Sequence, residues 1–195
     1  CSKALVLVGA NTITSFSENT TESKVANQLY ESTLENMLTR SRWRFSAKQA
    51  QLSRNASAPT ARWSAKYAVP SGTLLIHTVT VNDNVIEFDR YESDILCDAS
   101  SSDTVVADYT FQPSEANFPP YFKQALIFEL ASLFAGAIAR NDKLSQLYQQ
   151  RAIAQLAIAR AQDSQAQTTR KVDTTRFRNR RNAGPLGTIK ATVSS

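Results

Sequence analysis

The sequence predicts an α+β fold, mainly α: an antiparallel helical bundle with a small antiparallel β-sheet inserted into it and an extended C-terminal arm. Three observations lead there. Residues 118–164 read as two long helices with a short connection, residues 47–111 turn β-branched and alternating, and residues 165–195 lose apolar content while gaining charge. The organisation that follows is an N-terminal segment with a first long helix (1–45), a β-rich insertion (46–117), a helical hairpin (118–164) and an extended basic arm (165–195).

The hairpin is the scaffold. Its first helix opens at Pro119-Pro120, where a missing N–H costs nothing, and runs to about Ala139. Apolar residues cover almost its whole circumference, which predicts burial on most sides. The length would suffice for a membrane span, but Lys123 and Glu129 interrupt the run, so a core helix is the reading and no membrane is expected. The second helix follows Asn141-Asp142, either of which can cap it. Leu144, Tyr148, Ala152, Leu156 and Ala159 form one apolar stripe along it, and the short connection makes the two helices antiparallel.

A chain of 195 residues is long enough to bury a real core. Its formal net charge of +5 is unevenly placed. From Arg170 onward seven basic residues face the single acid Asp173, so that stretch carries +6 and the remainder −1. The basic character belongs to an arm, not to a globular face. The two cysteines, Cys1 and Cys97, make no disulfide framework and no metal-ligand spacing, so neither metal nor cofactor is expected. No signal peptide is visible. Cys1-Ser2 would suit a processed lipoprotein, but apolar residues 4–8 follow where a flexible tether belongs.

In chain order, residues 4–8 are a short apolar segment that periodicity leaves open between strand and helix. Asn19 and Glu22 have capping-box spacing ahead of a helix over about 21–40, with Val25, Ala26, Leu29, Tyr30, Leu34, Met37 and Leu38 on one broad face. Glu31 and Glu35 stand four apart on its other side and read as a solvated face. Trp43-Arg44-Phe45 alternates aromatic with basic; the aromatics are expected on the core and the arginines outside, with base stacking and phosphate contact as the competing reading. Residues 53–60 are a polar loop. Strands are expected at 74–81 and 85–91, joined as a hairpin by Asn82-Asp83-Asn84, then around 95–97 and over 105–111, where Val105, Ala107, Tyr109 and Phe111 alternate inward.

The search for chemistry finds no Gly-rich phosphate loop, nucleophile elbow or paired histidines. The lone His77 lies in a strand and reads as structural. A two-carboxylate glycosidase would have to draw on acids such as Glu31, Glu35, Glu129 or Asp142, and nothing points to it; no catalytic residue is assigned. The arm, 165–195, cannot bury enough surface to order itself and would take an acidic protein surface or nucleic-acid phosphate as its partner.

The order of landmarks resembles the tail tubular protein A family, head-to-tail adaptors of short-tailed, podovirus-type bacteriophages. The landmarks are Val8-Gly9, then Ile13-Thr14-Ser15-Phe16, a long helix ending in Trp43-Arg44-Phe45, a β-rich insertion, Phe118-Pro119-Pro120-Tyr121-Phe122 opening an apolar helix, and a second long helix before an extended tail. The resemblance reaches to about residue 165. It implies a structural virion protein at the head–tail junction, assembled from the host cytoplasm, that forms a homo-oligomeric ring, commonly of twelve. The ring would lie between the portal protein and a tail tubular protein B-like nozzle, with genomic DNA passing through the lumen during ejection without sequence readout. On that reading Arg170, Lys171, Arg176, Phe177, Arg178, Arg180 and Arg181 dock on the portal. The alternative is a nucleic-acid-binding module whose basic arm grips phosphates.

Overall fold

The computed structural model describes residues 1–57, 59–60 and 62–165. The fold is mixed α+β, with four helices and two small antiparallel sheets, 43% helix and 23% strand.

The segment 4–8, left open by periodicity, is helical: α1 (Ser2–Leu7) ends at its C-cap Val8, and its Ala4 and Leu5 are fully buried. Gly9 turns the chain at φ 75°, a value that favours glycine. In the loop that follows, the Glu18 carboxylate accepts from the N–H groups of Thr14 (2.7 Å) and Ser15 (3.0 Å) and from the Thr14 hydroxyl. Helix α2 (Thr21–Thr39) is capped by Thr20, not by Asn19: the Thr20 hydroxyl accepts from the Ser23 N–H at 3.2 Å. The expected capping box does not form: the cap lies one residue later, and the third helical residue is then Ser23, which has no carboxylate to reach back. Glu22 accepts instead from Asn11 at 3.2 Å.

Helix α3 (Pro120–Ala137) follows a single 3-10 turn (Glu115–Asn117), and α4 (Asp142–Gln165) follows the turn at Ile138–Asn141. Asn141 caps α4 through its side-chain oxygen, which accepts from the Leu144 N–H at 3.1 Å. The two helices run antiparallel: Tyr121 at the start of α3 meets Asp163 at the end of α4, and Ser145 donates to the Ser132 carbonyl at 2.8 Å. Helices α1 and α2 also pack on α3. One core joins all four, with Leu5, Leu34, Leu38, Trp43, Phe122, Leu130 and Phe134 buried at its centre.

Between α2 and α3 the chain forms two sheets where a single small sheet is expected. Strands β1 (Ala47–Gln51), β7 (Val105–Phe111), β3 (Thr73–Val81) and β4 (Asn84–Ile86) make one, in the order β1-β7-β3-β4. Strands β2 (Ala65–Ala68), β6 (Asp94–Cys97) and β5 (Phe88–Tyr91) make the other, in the order β2-β6-β5. The expected continuous strand over 85–91 breaks at Glu87. Val85 and Ile86 pair with β3, whereas Phe88–Tyr91 pairs with β6. Asn82 and Asp83 both take positive φ (48° and 66°) between Val81 and its partner Asn84, which is the two-residue hairpin geometry that fits strand twist.

Residues from both sheets share a second core of Leu52, Tyr67, Val79, Ile95, Cys97, Val105 and Ala107. Val105, Ala107 and Tyr109 are buried as the alternation predicts, but Phe111 is only half-buried, and Thr110 is fully buried instead. The register against β3 shifts twice near this end of β7, which re-aims the side chains.

Because Trp43 is fully buried, Trp43→Ala should cost about 3–5 kcal/mol of unfolding free energy. Val85→Ser, on a side chain 73% exposed, should stay within about 0.5 kcal/mol. Urea unfolding of the two variants checks both.

Candidate partner-binding surfaces

The arm residues predicted to bind a partner, Arg170, Lys171, Arg176, Phe177, Arg178, Arg180 and Arg181, lie outside the described residues. What is described is the point from which that stretch continues. Near the end of α4, Asp163 is buried (5% exposed) and accepts both the Tyr121 hydroxyl (2.7 Å) and the Arg44 backbone N–H (3.0 Å). Burial first, then the bond to Asp163, pushes the Tyr121 phenol well above its ordinary pKa. One turn earlier, Arg160 donates to the Arg40 carbonyl at 2.9 Å, and Arg40 itself pairs with Glu129 at 2.8 Å. The end of α4 is thereby tied to the residue that caps the end of α2 and to the start of α3, and Arg40 in turn reaches the middle of α3. Asp163 follows the buried stripe of α4 by one more step of four, so a charged residue at a core position was a signal that the sequence carried.

Trp43 does not offer a stacking face. Its indole is enclosed and donates to the Met37 carbonyl at 2.8 Å, with Phe122 edge-on at 5.3 Å. Arg42 pairs with Asp108 at 3.3 Å. The four carboxylates considered for hydrolysis are engaged separately or face solvent. Glu31 accepts from Gln112 at 2.8 Å, Glu129 holds Arg40, Asp142 lies in the exposed first turn of α4, and Glu35 is exposed. Among the described residues no group of three or more His, Cys, Asp or Glu is placed to hold a metal ion. Also among them, no helix is long and apolar enough to cross a membrane.

His77 bonds through Nε2 to the Thr110 hydroxyl at 2.7 Å, across the sheet. Burial, followed by the nearby Arg42 guanidinium, lowers its pKa against the opposing pull of Asp108. Cys97 is buried, and burial pushes its thiol up to about 11. It is a core residue.

Three surfaces are built as possible contact sites. A pocket of about 440 Å³ on the second sheet is lined by Trp63, Lys66, Tyr91, Glu92 and Asp94. Within it Lys66 pairs with Asp94 at 2.8 Å, and the Trp63 indole donates to Asp89 at 3.1 Å. A groove of about 510 Å³ lies between α1, α2, the 3-10 turn and α3, with Cys1, Lys3, Tyr30, Glu115, Lys123 and Ile127 among its walls. There the Tyr30 hydroxyl donates to Glu115 at 2.5 Å, and burial raises the phenol pKa. The third surface is the outward face of α4. Leu147, Ile153 and Ile158 are exposed by 42%, 62% and 51%, with exposed Ala154 and Ala157 between the isoleucines and Ala161 after them. Sequence reading missed the groove, which four separate segments assemble. It could have found the α4 face from Ile153 and Ile158, which lie off the buried stripe.

No protein-family model matches the chain, and no curated protein matches it either.

Two outcomes follow from this geometry. Asp163→Ala removes the acceptor of two bonds and should destabilise the fold by about 1–3 kcal/mol in chemical unfolding. The depressed His77 pKa means the native state binds fewer protons than the unfolded chain, so its contribution to stability holds above the ordinary value of 6.5 and is lost as pH falls below it. Melting temperature should drop across that window in the wild type, and His77→Gln, which cannot titrate, should flatten that part of the profile.

Proposed function

We propose that this chain is a structural head-to-tail adaptor of the tail tubular protein A kind, in the virion of a short-tailed bacteriophage. It forms a homo-oligomeric ring between portal and tail nozzle, with DNA passing through the lumen. On this reading the fold is mainly a helical bundle that walls the ring. The arm residues Arg170, Lys171, Arg176, Phe177, Arg178, Arg180 and Arg181 dock on the portal.

One observation carries the reading. The two aromatic landmarks on which the resemblance rests lie more than seventy residues apart in sequence and meet as one cluster. Phe45 packs at a tilt against Phe122 at 4.8 Å and edge-on against Phe118 at 6.0 Å, and Trp43 packs edge-on against Phe122. The resemblance expects these two stretches on either side of the insertion, and their packing into one core is compatible with it.

Head-to-tail ring closure requires two different surfaces on each copy. Repeating one weakly binding arm around a ring multiplies its contact with a ringed partner through effective concentration. The unequal charge, +6 in the arm against −1 in the rest, favours an arm that binds something acidic, which also keeps the nucleic-acid module as the second reading.

Portal and DNA binding separate the two. Alanine at all seven arm positions should leave the circular dichroism of the chain unchanged and weaken binding to purified portal about a hundredfold or more, equivalent to roughly 2.7 kcal/mol. Binding to duplex DNA should be weak in both proteins. Unchanged portal affinity, together with DNA affinity that falls steeply with salt in the wild type and disappears in the variant, would replace the adaptor with the nucleic-acid module.

A further inference from the structure

We propose that the pocket on the second sheet binds a neutral saccharide, a function that goes beyond the adaptor reading and does not depend on it.

Strand register places the pocket on the outer face of the sheet. Side chains directly opposite one another in an antiparallel pair share a face. Lys66 pairs with Leu96, Leu96 with Asp89, and Asp94 with both Ala68 and Tyr91. Ala65, Tyr67, Ile95 and Cys97 turn the other way, into the core shared by the two sheets. One face of the three strands is therefore core, and the other is the floor of the pocket. Trp63 lies over that floor. It precedes β2, yet its indole N–H reaches Asp89 on β5, two strand spacings or about 10 Å across the sheet. Tyr91, 56% exposed, stands on the same face. Ring surface and charged groups thus line one cavity of about 440 Å³, within the range of about 300–1,000 Å³ of small-ligand sites.

The backbone gives a second observation. Among the described residues five other than glycine take positive φ. Asn82 and Asp83 are types that tolerate it, whereas Arg62 (71°), Glu92 (53°) and Arg140 (48°) are not. Two of these three line the pocket. Glu92 is the first of two residues between the paired Tyr91 and Asp94, a hairpin position where positive φ calls for glycine. Among the described residues, neither the Glu92 carboxylate nor the Arg62 guanidinium has a hydrogen bond or ion pair. Strained backbone here presents two uncommitted groups of opposite charge to one cavity, which is where a binding site places strain.

Charge and shape select the ligand. The four charged side chains that line the pocket, Arg62, Lys66, Glu92 and Asp94, sum to zero. Asp94 is already held by Lys66 and by the Asn55 amide, each at 2.8 Å. An anion would meet Glu92 and a cation would meet Arg62. A wholly apolar ligand would strip water from both groups and replace none of it. A saccharide meets all three constraints. Its ring presents a face of C–H groups to the negative faces of Trp63 and Tyr91. Its hydroxyls both donate and accept, so one sugar edge can donate to the Glu92 carboxylate and accept from the Arg62 guanidinium.

The chain carries its own reporter. Of its two tryptophans, Trp43 is fully buried in the helical core, so a change in emission on ligand binding comes from Trp63. Chitotriose, maltotriose and lactose are titrated separately into the full chain, with tryptophan emission and saturation-transfer NMR of the sugar recorded together. Adenosine and choline are titrated in parallel. At least one saccharide should give a saturable change below about 10 mM, and Trp63→Ala should weaken its binding at least about tenfold by NMR. Glu92→Gly separates binding from folding. It should raise the melting temperature, because the turn relaxes, and weaken the saccharide about tenfold. Should Trp63→Ala lose its fold, Glu92→Gly alone decides. No saturable signal from any of the three sugars would overturn the proposal. So would sugar binding that the variants leave unchanged, which puts the site elsewhere, and so would adenosine or choline binding in place of the sugars, which gives the pocket a different ligand.

Discussion

Helix α3 is enclosed by α1, α2 and α4, and the other elements take their places from that enclosure. A helix apolar on nearly every side has no solvent-facing orientation, so it must be surrounded. Phe122, Ala125, Leu130, Ala131, Phe134 and Ala135 are each buried, and the small residues among them let neighbours approach. Gly136 illustrates the closeness: a Cβ there would lie 3.9 Å from the Ser145 hydroxyl on α4. Meanwhile the polar groups that burial would strand are paired. Ser145 donates to a carbonyl of α3, Tyr148 donates to the Leu7 carbonyl at 2.7 Å, and Trp43 donates to the Met37 carbonyl. Among the described residues no buried side-chain nitrogen or oxygen lacks a partner.

The two cores meet where the chain leaves α2 and where it returns to α3. Phe45 and Phe118 close the helical core at those crossings, and the Phe111 N–H donates to the Ser46 carbonyl at 2.9 Å just beyond them. Beyond these crossings α2 also touches β3 and β7, and Leu74 of β3 packs on the helical core, while the buried core of the sheets is made of residues from the β region itself.

Much of the helical layer was legible because its signals are long and local. Pro119-Pro120, the apolar run after them and the four-residue stripe of α4 each specify a helix and a buried face without reference to the rest of the fold. The β insertion was only partly legible. Strand β1 is polar and mostly exposed, and its pairing with β7 alone makes it a strand. The break at Glu87 is decided by which strand lies beside each half, a tertiary choice that alternation does not encode. Thr20 displaced Asn19 as the cap because both residue types fit the rule and only the path of the preceding loop selects one. For the contact surfaces, Asp163 and the isoleucines of α4 stood in the sequence as misfits. The groove is different: Tyr30, Glu115 and Lys123 converge from three segments, and no single stretch announces it.

The central claim is that this helical layer is the repeating wall of a closed ring. Native mass spectrometry of the full chain, alone and mixed with portal, tests it most directly. Against a monomer of 21.5 kDa, the claim predicts one defined oligomer of about twelve copies, present with portal whether or not it forms without it. A species that stays at 21.5 kDa at all concentrations and ignores portal would contradict it.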